Sequence, residues 1–386
     1  LSEGYGSAVK IHHVFRQLAV SVILCLGAWT TVSAQVISSE KEDFKVEVVA
    51  EGLKNPWAIL ELPDGRLLVT ERPGTLRVIE NGRLLSDVVS GLPAVYAKGQ
   101  GGLLDIELHP DYAKNGWIYV AFSDVKNDKG LTKIIRGRLK GMALVDQETI
   151  FEAPVDEYTG AGVHFGCRME FDSNGHLFFS IGDRGDMKNA QLRTNVKGKV
   201  HRIRDDGGVP EDNPFFSEPG AARSIWSYGN RNPQGLRFHP VTGDLWATEH
   251  GPRGGDELNI IEKGKNYGWP LITYGINYNG TPITDKTEAP GLEQPVIQWT
   301  PSIAVSGIDF YTGKLFPKWK NNLFVGALAH QKIVRVEFDA AGKAVTRQEI
   351  LLEKSGRIRD VRCLSDGAIY LVYDDPGKIV RLVPAR

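Results

Sequence analysis

With 386 residues and 41% hydrophobic side chains the chain can bury a sizeable core, which excludes a disordered or low-complexity protein and leaves two domains or one large closed architecture. Forty-six basic against 47 acidic side chains give a net charge of -1, without the basic excess of a protein that coats nucleic acid. The 43 glycines and 20 prolines follow no collagen period and point to many tight turns, hence many short strands.

Residues 10–16 (KIHHVFR) are basic, residues 18–29 form an apolar run, and TTVSAQ follows. A basic region, a short apolar core and a small-x-small site ending at Ala34 spell a cleaved secretory signal peptide over residues 1–34. Such a run is too short to span a bilayer, and no later stretch approaches eighteen apolar residues. The mature chain, residues 35–386, is therefore expected to be soluble and exported, periplasmic or secreted, without stable membrane insertion. Cys25 would leave with the signal. The remaining Cys167 and Cys363 do not make a disulfide framework and read as two separate buried thiols.

From residue 45 onward the chain reads as strands. KVEVVAEGL (45–53) comes first, and then one unit recurs six times: a small polar turn followed by an alternating apolar strand. The copies are PDGRLLVTE (63–71), KNGWIYVAFSD (114–124), SNGHLFFSIGD (173–183), VTGDLWATEHG (241–251), KNNLFVGAL (320–328) and SDGAIYLVYDD (365–375). Their turn pairs, such as Asp64-Gly65 and Asn174-Gly175, accept positive φ. A further strand often follows, as in GTLRVIE (74–80) and GKIVRLV (377–383). The spacing suits about four strands per unit, and no amphipathic helix of more than three turns stands out. These features predict an all-β, six-bladed propeller of four-stranded antiparallel blades around a channel, in which 45–53 completes the last blade. The longest insert is expected between about 250 and 320.

Chemistry-bearing residues gather in the loops KGQGGLLDIELHP (98–110), GAGVHFGCRMEF (160–171), SYGNRNPQGLRFHP (227–240), TEHGPRGGDELNII (248–261), GKNYGWP (264–270) and SGRIRDV (355–361). Arg231, Arg253, Arg357 and Arg359 concentrate there, and clustered guanidinium groups suit a multiply anionic ligand. Arg357 and Arg359 alternate, so a strand would point both to one side. His164, in glycine-rich surroundings, is the candidate base. His109, His239 and His250 read equally well as turn residues. No HExxH, CxxC or Walker loop is present, and the GxG occurrences lack a following helix.

In order, GQGGLLDIELHP, YGNRNPQG, EHGPRGGDELN, GKNYGWP and RIRDV resemble the soluble, exported aldose sugar dehydrogenases that use pyrroloquinoline quinone (PQQ), relatives of soluble quinoprotein glucose dehydrogenase in the glucose/sorbosone dehydrogenase family. The resemblance implies oxidation of an aldose at C1 to its lactone, with PQQ and Ca²⁺ as cofactors and a periplasmic electron acceptor as partner. It implies that His164 is the general base, that Gln100 helps hold the sugar hydroxyl, and that Arg231 stabilises charge on the quinone oxygen. Asn232, Arg357 and Arg359 would bind the quinone's carbonyl and carboxylates, and Trp299 would pack near it. The carbonyls of Gly251 and Pro252 would ligate one calcium, while Glu257 and the Tyr267 carbonyl match a second, structural one. Glycines 99, 101, 102 and 251 would let the backbone approach these ligands. Two positions depart from the family. Ala329 stands where the family has a lysine that contacts the quinone, with His330 or Lys332 nearby. Val163 stands where the glucose enzymes carry an acid before the histidine. A non-catalytic exported sugar- or ligand-binding propeller and a calcium-dependent lactonase are the other readings.

Overall fold

Hydrogen bonding gathers the 24 strands of residues 35–385, the part of the chain that the computed structural model describes, into six four-stranded antiparallel sheets. The expected signal peptide, residues 1–34, lies outside the described residues. Blade 1 comprises Pro56–Glu61, Leu67–Glu71, Thr75–Glu80 and Arg83–Val88, and blade 2 Leu103–Leu108, Trp117–Lys126, Lys129–Lys140 and Ala143–Phe151. Blade 3 comprises Met169–Phe171, His176–Ile181, Lys199–Arg204 and Ile225–Tyr228, and blade 4 Pro233–Phe238, Leu245–Glu249, Asp256–Ile261 and Ile297–Trp299. Blade 5 comprises Val305–Phe310, Leu323–Ala327, Ile333–Phe338 and Val345–Leu352. Blade 6 takes Arg357–Cys363, Ile369–Asp375 and Lys378–Pro384 from the C-terminus and Phe44–Glu51 from the N-terminus, with Val46 opposite Leu382. This pairing ties the two ends of the ring together, as expected for 45–53, and leaves no blade to open first.

The first strands of the blades contact one another in a closed circle and so line the channel. Each recurring turn joins the first strand of a blade to the second. In all six, one residue takes positive φ: Gly65 (85°), Gly116 (69°), Gly175 (79°), Gly243 (74°), Asn321 (62°) and Gly367 (81°). Among the described residues, helix is limited to Tyr112–Asn115 and three short 3-10 turns. The long insert lies at 262–296, between the third and fourth strands of blade 4.

Neighbouring blades are joined by apolar cores and by a repeated hydroxyl contact. Thr70, Ser180 and Thr248, each on a second strand, donate to the backbone carbonyls of Leu104, Pro233 and Ser306 on the next blade's first strand, at 2.6, 3.2 and 2.7 Å. Blade 5 varies the device. Ser306 itself donates to Ile358 O at 2.6 Å, and a Cβ on Gly326 would come within 2.7 Å of that hydroxyl.

Because every first strand ends in one of these turns, the turns ring one end of the channel. The loops entering the first strands, with those between second and third strands, ring the other end. Gln100, His164, Arg231, Asn232, Gly251, Pro252 and Arg357 all belong to that second end.

Candidate active site

Residues 161–168 lead into the channel strand of blade 3. His164 is held there in the left-handed region at φ 54°, with its backbone N–H donating to Gln100 Oε1 at 2.8 Å. Its Nδ1 lies 2.6 Å from Asp183 Oδ1. The carboxylate also accepts from Gly185 N at 2.8 Å and, through Oδ2, from the Trp269 indole at 2.8 Å. Burial raises the Asp183 pKa, but the bonds from His164, Gly185 and Trp269 outweigh it and hold the acid below its ordinary range. His164 is itself shifted down, chiefly by burial and further by Arg231, with Asp183 opposing. A neutral imidazole with Nδ1–H on a carboxylate leaves its Nε2 lone pair as the acceptor, the arrangement of a general base. The close approach needs Gly182, where a Cβ would lie 2.4 Å from His164 O.

Arg231 faces the same pair. Its Nη1 donates to Gly251 O at 2.7 Å and His250 O at 3.2 Å, and the guanidinium stands 5.4 Å from the centre of the Trp269 ring. Its backbone N–H is held by Glu249 Oε2 at 2.7 Å, and its carbonyl accepts from Asp183 N at 2.8 Å. The base and the arginine are thus tied through one peptide contact.

At the same mouth lies a cup of about 190 Å³, lined among others by Arg72, Gln100, Asn232, Arg357, Arg359 and Asp374. Arg359 donates to Gln234 Oε1 at 3.1 Å and to Asp374 Oδ2 at 3.3 Å, and Arg357 lies 3.8 Å from the same carboxylate. Burial pushes the Arg359 pKa down to about 10 against the pull of Asp374. Arg72 Nε, Arg359 Nε and His250 Nε2 are buried without partners. A buried donor without an acceptor is costly, and here two belong to cations around one cavity. The cup is therefore suited to a polyanion.

Beside the cup, the Gly251 carbonyl already serves a cationic group, the Arg231 guanidinium, so its oxygen faces a place for positive charge. The Pro252 carbonyl accepts from Ser302 Oγ at 3.4 Å. Glu257 is pushed up to about 8, first by burial and then by the neighbouring Glu249, which burial also raises. Glu249, Gly251, Glu257 and Tyr267 line one small space. Two buried carboxyls whose ionised forms lack compensation, with carbonyl oxygens beside them, fit a hard cation such as Ca²⁺.

Trp299 and Arg253 depart from their sequence readings, whereas His109, His239 and the two unpaired cysteines match theirs. Trp299 sits on the outermost strand of blade 4, outside the cup lining, with its indole donating to Gln348 Oε1 at 3.0 Å and its ring packed on the core shared with blade 5. The glycines at 99, 101, 102 and 251 make room for neighbouring loops. A Cβ there would meet Gly162 O at 2.2 Å, Tyr96 O at 2.3 Å, Arg72 O at 2.0 Å and Gly255 O at 2.2 Å. Beside Ala329, His330 is exposed, and Lys332 pairs with Glu353 at 3.5 Å. Arg253 is exposed, with its backbone bridged to Ile276, and lies outside the cup. His109 and His239 are turn residues, their Nδ1 atoms accepting from Asp111 N and Val241 N. His250, by contrast, lines the cup. Cys167 and Cys363 are both free.

Sequence reasoning missed Arg72, Asp183, Trp269 and Asp374. Three of them stood in quoted segments: IGD in the third repeat, GWP in the insert and YDD in the sixth repeat. No spacing rule marked them as partners of His164 or Arg359.

A His–Asp pair beside an arginine thus stands with a cup rich in arginines at one mouth of a six-bladed propeller. The sequence matches the Glucose / Sorbosone dehydrogenase family over residues 53–381, and the chain belongs to that family. It is 44% identical to the aldose sugar dehydrogenase YliI of Escherichia coli over 88% of this chain and 92% of that protein. Its fold is similar to the crystal structure of the soluble aldose sugar dehydrogenase from Escherichia coli in the apo-form, with TM-score 0.84, 42% identity and coverage of 88% and 99%. It is likewise similar to the PQQ-bound aldose sugar dehydrogenase of Streptomyces coelicolor, with TM-score 0.71, 29% identity and coverage of 88% and 98%. The chain is accordingly an oxidoreductase of this family.

Proposed function

We propose that the mature chain, residues 35–386, is a single catalytic propeller that oxidises aldose sugars at C1 to the lactone, using PQQ and Ca²⁺. The observation that carries this reading is the buried His164–Asp183 pair opposite Arg231, at the same mouth as a cup whose cations exceed its carboxylates. PQQ is a planar ortho-quinone bearing three carboxylates, and when bound it supplies the two-electron acceptor for the C1 hydride. Arg72, Arg357 and Arg359 would hold its carboxylates, with Asn232 beside its carbonyl edge. The Gly251 and Pro252 carbonyls would hold Ca²⁺ next to it, and Glu257 with the Tyr267 carbonyl would hold a second Ca²⁺.

His164 Nε2 takes the proton of the anomeric hydroxyl, while Asp183 keeps Nδ1 protonated and the ring oriented. Gln100, which fixes the His164 backbone, also offers its amide to that hydroxyl. Arg231 places a preorganised positive charge where negative charge develops on the acceptor. The sugar thus loses one proton to His164 and one hydride to the acceptor, and becomes a lactone. A periplasmic electron acceptor would be the partner that takes the two electrons onward. Residues 1–34 act as the cleaved export signal, which puts the enzyme in the periplasm or outside the cell.

Reconstituting the purified protein with PQQ and Ca²⁺ and following dye reduction with a panel of aldoses tests the reading. Sugar-dependent turnover supports it. PQQ bound without turnover favours a ligand-binding propeller, and no PQQ binding together with no activity overturns it.

A further inference from the structure

The strand Lys199–Arg204 of blade 3 begins with a lysine whose side chain has no exposed surface. Lys199 Nζ donates to Asn189 O at 2.8 Å, Ala190 O at 3.0 Å and Lys197 O at 2.6 Å. An ammonium has three donors, and all three are spent on one loop. That loop, 182–198, runs from the second to the third strand of blade 3 and carries Asp183.

Two of the three residues whose carbonyls Lys199 grips, Asn189 and Ala190, each reach one half of the active site. Asn189 Nδ2 donates to Asp183 O at 3.0 Å. Ala190 O accepts from Gly229 N at 3.0 Å, and Gly198 O from Asn230 N at 3.2 Å, immediately before Arg231. Among the described residues Lys199 has no carboxylate in salt-bridge range. Glu157, the acid that most favours its charge, lies 3.7 Å from Lys197 Nζ. A buried cation without a direct counter-ion is a poor way to stabilise a fold, because an apolar side chain of the same length avoids the desolvation cost. Its placement under both halves of the site supplies another reason to retain it.

We propose that Lys199 is a positioning residue, whose ammonium pins the 182–198 loop and thereby holds the His164–Asp183 pair in register with Arg231. The inference rests on reading this mouth as the active site. The groups facing Lys199 are Glu157 and Asp183, which favour its charge, and Lys197 and Arg193, which oppose it. His201, on the same strand, is buried and pushed down to about 3, so it is neutral. Burial moves Lys199 down to about 7. An uncharged amine has only two donors for three carbonyls, so the pin loosens as pH rises.

Hydrogen exchange on the full mature protein tests the tie without sugar or dye. In wild type, protection of amides 185–198, corrected for intrinsic exchange, falls between pH 6 and 9, while that of Leu323–Ala327 holds. In Lys199→Met the loop exchanges fast at every pH. In the PQQ-loaded enzyme this variant loses about 30-fold or more in kcat with sugar KM within about threefold, as expected for misplacement of reacting groups. Loop protection in Lys199→Met equal to wild type, or an unchanged kcat, overturns the proposal. If that variant does not fold, the wild-type pH series decides, and pH-independent protection overturns it. A wild type that fails to oxidise sugars refutes the functional reading, whereas the exchange result still judges the tie.

Discussion

The two halves of the channel use the same residue types to opposite ends. At the site mouth, Arg72, Arg357 and Arg359 share the cup with one carboxylate, Asp374, while Asp183 is committed to His164. In the far half, three arginines meet five carboxylates. Arg168 lies between Asp105 at 3.1 Å and Asp360 at 2.9 Å, Arg237 meets Glu107, Glu170 and Asp309, and Arg362 reaches Asp105, Glu107 and Asp360. A guanidinium whose neighbours already neutralise it is part of the scaffold. One whose neighbours leave surplus charge is free to bind an anion.

The largest effect is expected at His164. Replacing it with Ala should lower kcat of the PQQ-loaded enzyme by about 10²–10⁴-fold with Tm little changed, and a loss under tenfold would remove it as the base. In the far half the effect should fall on stability. Asp105→Ala leaves Arg168 buried with one partner fewer and should cost about 3–5 kcal/mol in urea unfolding, with PQQ affinity per folded molecule unchanged. Arg359→Gln is the reverse case. It should weaken PQQ binding about 10- to 100-fold by titration, the worth of a charge-assisted bond, and leave the urea midpoint nearly in place.

Two pH effects sharpen the contrast. His164 is depressed, so kcat/KM should fall only as pH drops below the ordinary histidine value of about 6.5, where the base gains a proton. Far-half acids behave oppositely. Burial raises Glu107 and Asp360 to about 7, so their contribution to stability is complete below the ordinary carboxylate range and is lost as pH rises through about 7. Melting at pH 5 and pH 8 should show this decline, and Glu107→Gln should flatten it.

Much of the fold was legible because it is local. A turn that needs positive φ, followed by alternating apolar residues, is specified within about ten residues, and six such units plus an orphan strand imply a closed ring. Arg357 and Arg359 were legible for the same reason, since alternation puts both on one face of a strand. Trp299 was misread because an aromatic near a motif carries no information about which strand of the blade it occupies. Asp183 was hidden as the last residue of a repeat, where an acid after a strand looks like any turn residue.

The order of turns and strands, the blade count, the closing strand and the concentration of arginines near glycine-rich loops were determined by the sequence alone, because each depends on neighbours in the chain. The pairing of charges was decided only by the closed ring. Arg72 from blade 1, Asp374 from blade 6 and Asn232 from the loop before blade 4 share one cup because first strands far apart in sequence circle a common axis. Closure also sets which arginines meet enough carboxylate to be silent and which do not, and that balance separates the site from its support.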